Sequence, residues 1–324
     1  MDRRGLLRFA ERALMLLADH HAITGASFDD SWAVVPSYAD LWVEQRGSQF
    51  RIESVRRGSP AEAAGVRAGT LLTEIDGIPT ARAVAGFWED LGAQASPERA
   101  GFAARVLTAG RRDRPRRLTV LDGNGASRVH ELPNLYAAQQ PNGPPVEILR
   151  EGGALLIRVR DSLGDSATIA AFDAAMRQAS PRQRVIVDLT ETPSGGNTTV
   201  ARAILGWFVD RPHFYQMHNL PLEQRQSGVA RQWVEQVLPR PNMRHRGPVE
   251  VRVGRWTGSM GEGLAIGFHA IGAEVRGTRM AGLLGAIYDH RLDHSGLVVK
   301  LPTERLMTVT GQPRESFRPR PLRP

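Results

Sequence analysis

Residues 6–17 place Leu6, Phe9, Ala10, Ala13, Leu14 and Leu17 on one helical face and predict an amphipathic helix. Asp19-His20-His21 and a polar loop follow. Apolar and polar positions then alternate through residues 38–44 and again through 50–55, with a turn at Arg46-Gly47-Ser48. That pattern predicts two half-buried strands. Ser59-Pro60 opens a short helix that Gly65 closes. Leu71, Leu72 and Ile75 read as a strand ending in a tight Asp76-Gly77 turn. Residues 81–110 read as a helical insertion, 117–121 as a further strand, and the Pro/Gly/Asn-rich 137–145 as a linker.

The texture changes at Val146. Strands at 154–159, 184–189 and 249–253 alternate with helices at 167–179, 197–209 and 261–271. Such alternation predicts an α/β layered domain with a largely parallel sheet. Sites in these sheets gather at the carboxyl ends of the strands. Two turns of small residues fall there: Pro193-Ser194-Gly195-Gly196-Asn197 and Trp256-Thr257-Gly258-Ser259-Met260-Gly261-Glu262.

Composition removes several classes of chemistry. The 324 residues contain no cysteine, which excludes disulfides, zinc–thiolate sites and a cysteine nucleophile. Lys300 is the sole lysine, and no Gly-Lys-Ser/Thr occurs, so there is no P-loop. No apolar run approaches the roughly 20 residues of a membrane span. The net charge of +8 is modest for this length. The isoelectric point of about 10.8 reflects arginine usage, and the basic stretches 111–117 and 314–324 hold a single aromatic, Phe317, too few for a base-stacking surface. No nucleic-acid partner is expected. Residues 1–17 read better as an amphipathic helix than as a secretion signal, because Arg8, Glu11 and Arg12 interrupt the apolar stretch.

Ser259 lies between a buried strand and a helix, where a hydroxyl meets free helix N-terminal amides. Acyl transfer needs such a pairing of nucleophile and oxyanion donors. A simple helix cap explains the same local signal. Asp289-His290 and Asp293-His294 have metal-like spacing, but residues 287–300 read as a hairpin that scatters them, so no metal and no cofactor is expected. His213 and His218 read as solvated loop histidines, and Glu262 as a capping residue.

The stretch Gly58-Ser59-Pro60-Ala61, Ala64-Gly65-Val66, Ala68-Gly69 and Ile75-Asp76-Gly77-Ile78-Pro79 resembles a PDZ domain of the bacterial, protease-associated type. That resemblance implies peptide capture by strand addition, with Tyr38, Ala39, Asp40 and Leu41 as the carboxylate-binding loop. A module that packs on its neighbour and binds nothing is the other reading. The second half resembles the serine peptidases of the C-terminal processing protease and tricorn-core family. The matching segments are Val187-Asp188-Leu189 with Pro193-Ser194-Gly195-Gly196, Thr257-Gly258-Ser259-Met260-Gly261-Glu262, Gly277-Thr278-Arg279, and Val309-Thr310-Gly311-Gln312-Pro313-Arg314-Glu315. Asp19-His20-His21-Ala22 matches the element that precedes the PDZ domain in these enzymes.

The resemblance implies Ser259 as nucleophile, with the Met260 amide and an amide of Gly195 or Gly196 as the oxyanion hole. The family's lysine base is missing, since residues 277–285 contain none and arginine does not deprotonate. The tricorn-like alternative implies His21 as base and Glu315 as its acidic partner, although His20 stands where that pattern has a serine. For His20-His21 the simpler reading is a histidine pair favoured by a helix C-terminus. The implied architecture is a layered protease core, a ClpP/crotonase-like sheet with helices, carrying an inserted PDZ-like domain. Its expected segments are 1–36 with the core, 37–125 as the PDZ-like domain, 126–145 as linker and 146–324 as the peptidase core. The expected activity is that of a serine endopeptidase acting on peptide or unfolded protein. The alternative is a non-catalytic peptide-binding scaffold. The resemblance also implies a periplasmic or secreted setting, with a cytoplasmic one as the alternative, and is compatible with a homo-oligomer.

Overall fold

In the second half of the chain, strands built from Val, Ile and Leu pair side by side. Ala154–Val159, Val185–Asp188, Val249–Val253 and Glu274–Gly277 run parallel, and Val146–Glu151 joins antiparallel at the Ala154–Val159 edge. The structure is a computed structural model that describes residues 2–136 and 143–322. It divides into two compact units: residues 143–287 with 302–324, and residues 1–142 with 288–301.

In the unit that holds the parallel sheet, Leu155, Ile157, Val185, Val187, Val251 and Val253 turn one face toward the main core. Helices Ala167–Met176, Thr198–Leu205 and Met260–Ala270 bury Phe172, Ile204, Leu264 and Phe268 in the same core. Period-2 alternation in the strands has selected this face. Leu156 and Ile186 point the other way, in a smaller cluster. There the strands carry paired charges, Arg158 with Asp188 across neighbouring strands (2.9 Å) and Arg252 with Glu250 along one strand (3.0 Å). Asn197 caps helix Thr198–Leu205 by accepting from the Val200 amide (3.0 Å), which fixes where that helix begins. Strands His213–Asn219 and Gln232–Val237 form an antiparallel hairpin, and the end of strand Val298–Met307 pairs with the former at Arg305–Met307.

The other unit contains an antiparallel sheet in the order Leu41–Arg46, Gln49–Val55, Leu71–Ile75, Arg116–Leu121, Ser127–Leu132. Asp76 (φ 53°) and Gly77 (φ 78°) both adopt the left-handed conformation that a two-residue hairpin turn demands. The insertion resolves into two helices, Thr80–Asp90 and Pro97–Ala109. Ser96, Pro97 and Gly110 (φ 79°) give the second helix its start and stop. The sheet extends beyond residue 125, because Ser127–Leu132 pairs along its whole length with Arg116–Leu121. Residues 2–36, expected with the peptidase core, lie within this unit. Of the expected linker, residues 137–142 lie outside the described residues.

Three further expectations change. In helix Arg3–Met15 the buried side chains are Ala10, Leu14 and Met15, whereas Phe9 is 61% exposed and Leu17 lies beyond the helix at 53%. The burying stripe is therefore narrower than the apolar one. The expected helix at 197–209 ends at Leu205. His213 and His218 are not loop residues: His213 opens strand His213–Asn219, half-buried, and His218 sits buried within it.

Candidate active site

Strand Val185–Asp188 continues into the short strand Glu191–Thr192, and strand Val249–Val253 into Trp256–Thr257. These two extensions pair in parallel. The two small-residue turns thereby meet: the Gly258 amide donates to the Thr192 carbonyl (3.0 Å). Thr257, fully buried, locks the second extension by donating to the Leu189 carbonyl (2.7 Å) and accepting from the Gly254 amide (2.9 Å). A Cβ on Gly258 would stand 2.5 Å from the Pro193 carbonyl oxygen, so only glycine allows this approach.

Ser259 follows with φ 51° and ψ −116°. A non-glycine residue in that region carries strain on the order of 1–3 kcal/mol and persists only where its surroundings hold it. Helix Met260–Ala270 starts immediately after, so the Met260 amide stands at the helix N-terminus. Ser259 is half-buried, while Gly195 and Gly196 on the facing turn are exposed. A methyl group built on Gly195 would lie 3.6 Å from Ser259 Oγ, which makes that turn the hydroxyl's neighbour. At Gly196 the same addition would collide with the Leu163 backbone at 2.6 Å. Asp161 holds the turn from the other side by accepting from the Ser194 amide (2.7 Å) and its hydroxyl.

Glu262 does more than its sequence position suggests. Its carboxylate is fully buried and accepts from the amides of Ser259 (3.0 Å), Gly282 (2.9 Å) and Leu283 (3.2 Å). Arg314 Nη2 lies 3.8 Å away and donates its own hydrogen bonds to the carbonyls of Leu283 (2.9 Å) and Gly285 (2.8 Å). Burial pushes the Glu262 carboxyl up to about 7, against the opposing pull of Arg314 and the three amides. Glu315, half-buried in the turn Arg314–Ser316, has no hydrogen bond to Ser259 among the described residues.

The expected residues of the other unit each have partners within that unit. His21 is buried, and its backbone amide donates to Asp19 Oδ1 (2.7 Å). His20 is held on both ring nitrogens: Nδ1 bonds the Val34 carbonyl (2.6 Å) and Nε2 accepts from Arg105 (3.0 Å). Burial, then the Arg105 charge, push its pKa down to about 3, so the ring is neutral, with the proton on Nδ1. The Asp40 carboxylate, 0% exposed, takes a bidentate ion pair from Arg116 (2.6 and 3.0 Å) and the Ala61 amide (3.1 Å). The amides of Tyr38 and Ala39 donate to the carbonyls of Val35 and Pro36, both at 3.0 Å. Leu41, also buried, opens the edge strand Leu41–Arg46. Helix Pro97–Ala109 lies close on that strand, with Arg105 donating to the Val43 carbonyl (3.3 Å) and to Glu44 (3.0 Å). Lys300 is ion-paired with Asp289 across the hairpin (2.8 Å).

Sequence reasoning missed a further cluster. His218 Nδ1 bonds Glu304, its Nε2 lies 3.3 Å from Glu235, and Trp233 stacks on its ring at 4.9 Å. Burial opposes the charge, but the two carboxylates prevail and raise its pKa to about 9. Residues 232–237 show no strict alternation of apolar and polar positions, so the strand that carries Glu235 left no periodic signal.

Comparison with known proteins agrees with this fold. The sequence profile of peptidase family S41 matches residues 155–317, and a PDZ-domain profile matches residues 51–85. The chain therefore belongs to peptidase family S41, a class of serine-type peptidases, with a PDZ domain. No curated protein matches the sequence. Among solved structures, the photosystem II D1 C-terminal processing protease is similar over 99% of this chain and 82% of its own, at 18% identity and TM-score 0.59. Mature CPAF is similar over 96% of this chain and 81% of its own, at 15% identity and the same TM-score. At these identities the likeness is one of fold. Among the described residues no helix is long and apolar enough to cross a membrane.

Proposed function

We propose that the protein is an endopeptidase that works through an acyl-enzyme on Ser259, with His21 as general base and Glu315 as supporting carboxylate. The observation that carries this reading is the strained Ser259, heading a buried helix with its hydroxyl beside the Gly195 turn. Ser259 Oγ attacks the peptide carbonyl while His21 takes its proton. The oxyanion is received by the Met260 amide and an amide of Gly195 or Gly196. His21 then protonates the leaving amine, and water releases the acyl group. A histidine suits the composition, because Lys300 is engaged with Asp289. Substrates are peptides or unfolded proteins. An exported setting belongs to the same reading, and cell fractionation tests it.

For the PDZ domain, the geometry of residues 38–41 favours a module that serves the fold. The Tyr38 and Ala39 amides and the Asp40 carboxylate are spent internally, and Arg105 occupies an edge-strand carbonyl.

Labelling with a serine-reactive fluorophosphonate tests the chemistry. Wild type reacts, and Ser259→Ala and His21→Ala do not. Equal labelling of all three would overturn the assignment.

A further inference from the structure

Ser259 holds a conformation that an L-residue leaves unless something restrains it. Its own amide identifies the restraint. That N–H points at Glu262 Oε2, and the two oxygens of the same carboxylate reach the amides of Gly282 and Leu283 on a separate segment. A glutamate at the third position of a helix ordinarily returns to the cap amide from the surface. This one is 0% exposed and binds two amides outside its helix. Arg314 closes the circuit, because its guanidinium grips the carbonyls of Leu283 and Gly285 beside the amides that Glu262 holds.

We propose that Glu262 is the positioning residue of the nucleophile: its buried carboxylate fastens the Ser259 amide to the 282–283 segment and so fixes the hydroxyl at the Gly195 turn. The inference rests on Ser259 being the nucleophile. Glu262 touches neither substrate nor the reacting atoms. It acts on the backbone of the residue that does, and sets the direction in which Cβ and Oγ project. Without that hydrogen bond, rotation about the Ser259 backbone carries the hydroxyl away from the amides that receive the oxyanion.

The test compares fluorophosphonate labelling rates, and kcat and KM on a peptide substrate, for wild type, Glu262→Gln, Leu264→Ala and Ser259→Ala. Glutamine keeps the shape but sets an NH2 group against amide donors. Leu264 is a fully buried core residue of the same helix, so its truncation destabilises without touching Ser259. The expected result is that Glu262→Gln labels at least tenfold more slowly per folded molecule. Its kcat falls in parallel and its KM stays within about threefold, while Leu264→Ala labels within about threefold of wild type. If Glu262→Gln does not fold, Glu262→Asp takes its place with the same expectation, since its oxygens are withdrawn by one methylene. Labelling of the folded Glu262 variant within twofold of wild type, with Ser259→Ala silent, overturns this inference alone. Equal loss in Leu264→Ala and the Glu262 variant also overturns it, because stability then explains the effect. Labelling of Ser259→Ala at the wild-type rate removes the nucleophile assignment and this inference with it.

Discussion

Two buried carboxylate–arginine pairs, one in each unit, show how the same two groups serve different ends. Asp40 and Arg116 meet directly, through two hydrogen bonds of 2.6 and 3.0 Å. Arg116 spends its remaining donors on the carbonyls of Thr108 and Pro133, both at 2.8 Å. Charge is neutralised on the spot, and four segments are locked together. Glu262 and Arg314 stand 3.8 Å apart and are satisfied separately, the carboxylate by amides and the guanidinium by carbonyls. The first pair is a joint in the sheet domain. The second is a brace under a strained turn, and its carboxyl titrates near neutrality. How a buried pair is satisfied, rather than its presence, distinguishes a structural lock from support for chemistry.

The contrast can be broken most forcibly at the first pair. Asp40→Asn leaves Arg116 buried without its counter-ion and should cost about 3–5 kcal/mol in urea unfolding. Labelling of the remaining folded molecules should be unchanged. At the second site the order of effects reverses. Gly258→Ala forces the Pro193 carbonyl and Ser259 apart, so labelling should fall about a hundredfold, against a stability cost of about 1–3 kcal/mol.

The pH dependence of stability sharpens the comparison further. Glu262 binds its proton more tightly in the folded state than at its ordinary value near 4.5. Its contribution is therefore fully present below pH 4.5 and is lost as pH rises through about 7. The wild type should lose on the order of 1–3 kcal/mol more than Glu262→Gln across that window. Denaturant titrations at pH 4.5 and 8 measure the difference, and parallel curves would contradict it. The smallest effect is expected at Lys300→Ala, which removes a partly exposed ion pair. It should change stability by less than about 1 kcal/mol and leave labelling intact. A loss of labelling there would reopen lysine as the base.

Much of the fold was legible because apolar periodicity and turn chemistry agreed. The parallel strands Ala154–Val159 and Val185–Asp188 read as apolar runs, and in the other unit Asp76-Gly77, Ser59-Pro60 and Gly65 marked turns and caps. The hairpin of His213–Asn219 and Gln232–Val237 was not legible. Its inward residues His218 and Glu235 are polar, and only pairing with each other and with Glu304 allows their burial. At the site, Ser259 and the Gly195–Gly196 turn were found as two small-residue turns at strand ends. Glu262 was read as a helix cap, which is the local half of its role. Its bonds to Gly282 and Leu283, and the guanidinium of Arg314 nearby, depend on tertiary contacts that no local spacing encodes. His20 likewise became intelligible only once Val34 and Arg105 were seen on its two nitrogens.

The most direct test of the account is to locate the covalent adduct. Wild-type protein is labelled with the fluorophosphonate, digested with trypsin and sequenced by tandem mass spectrometry, with His21→Ala alongside. The account predicts a single adduct on Ser259, within the peptide that begins at Trp256 after Arg255, and none in His21→Ala. An adduct on any other residue, or one on Ser259 that forms equally fast without His21, would contradict it.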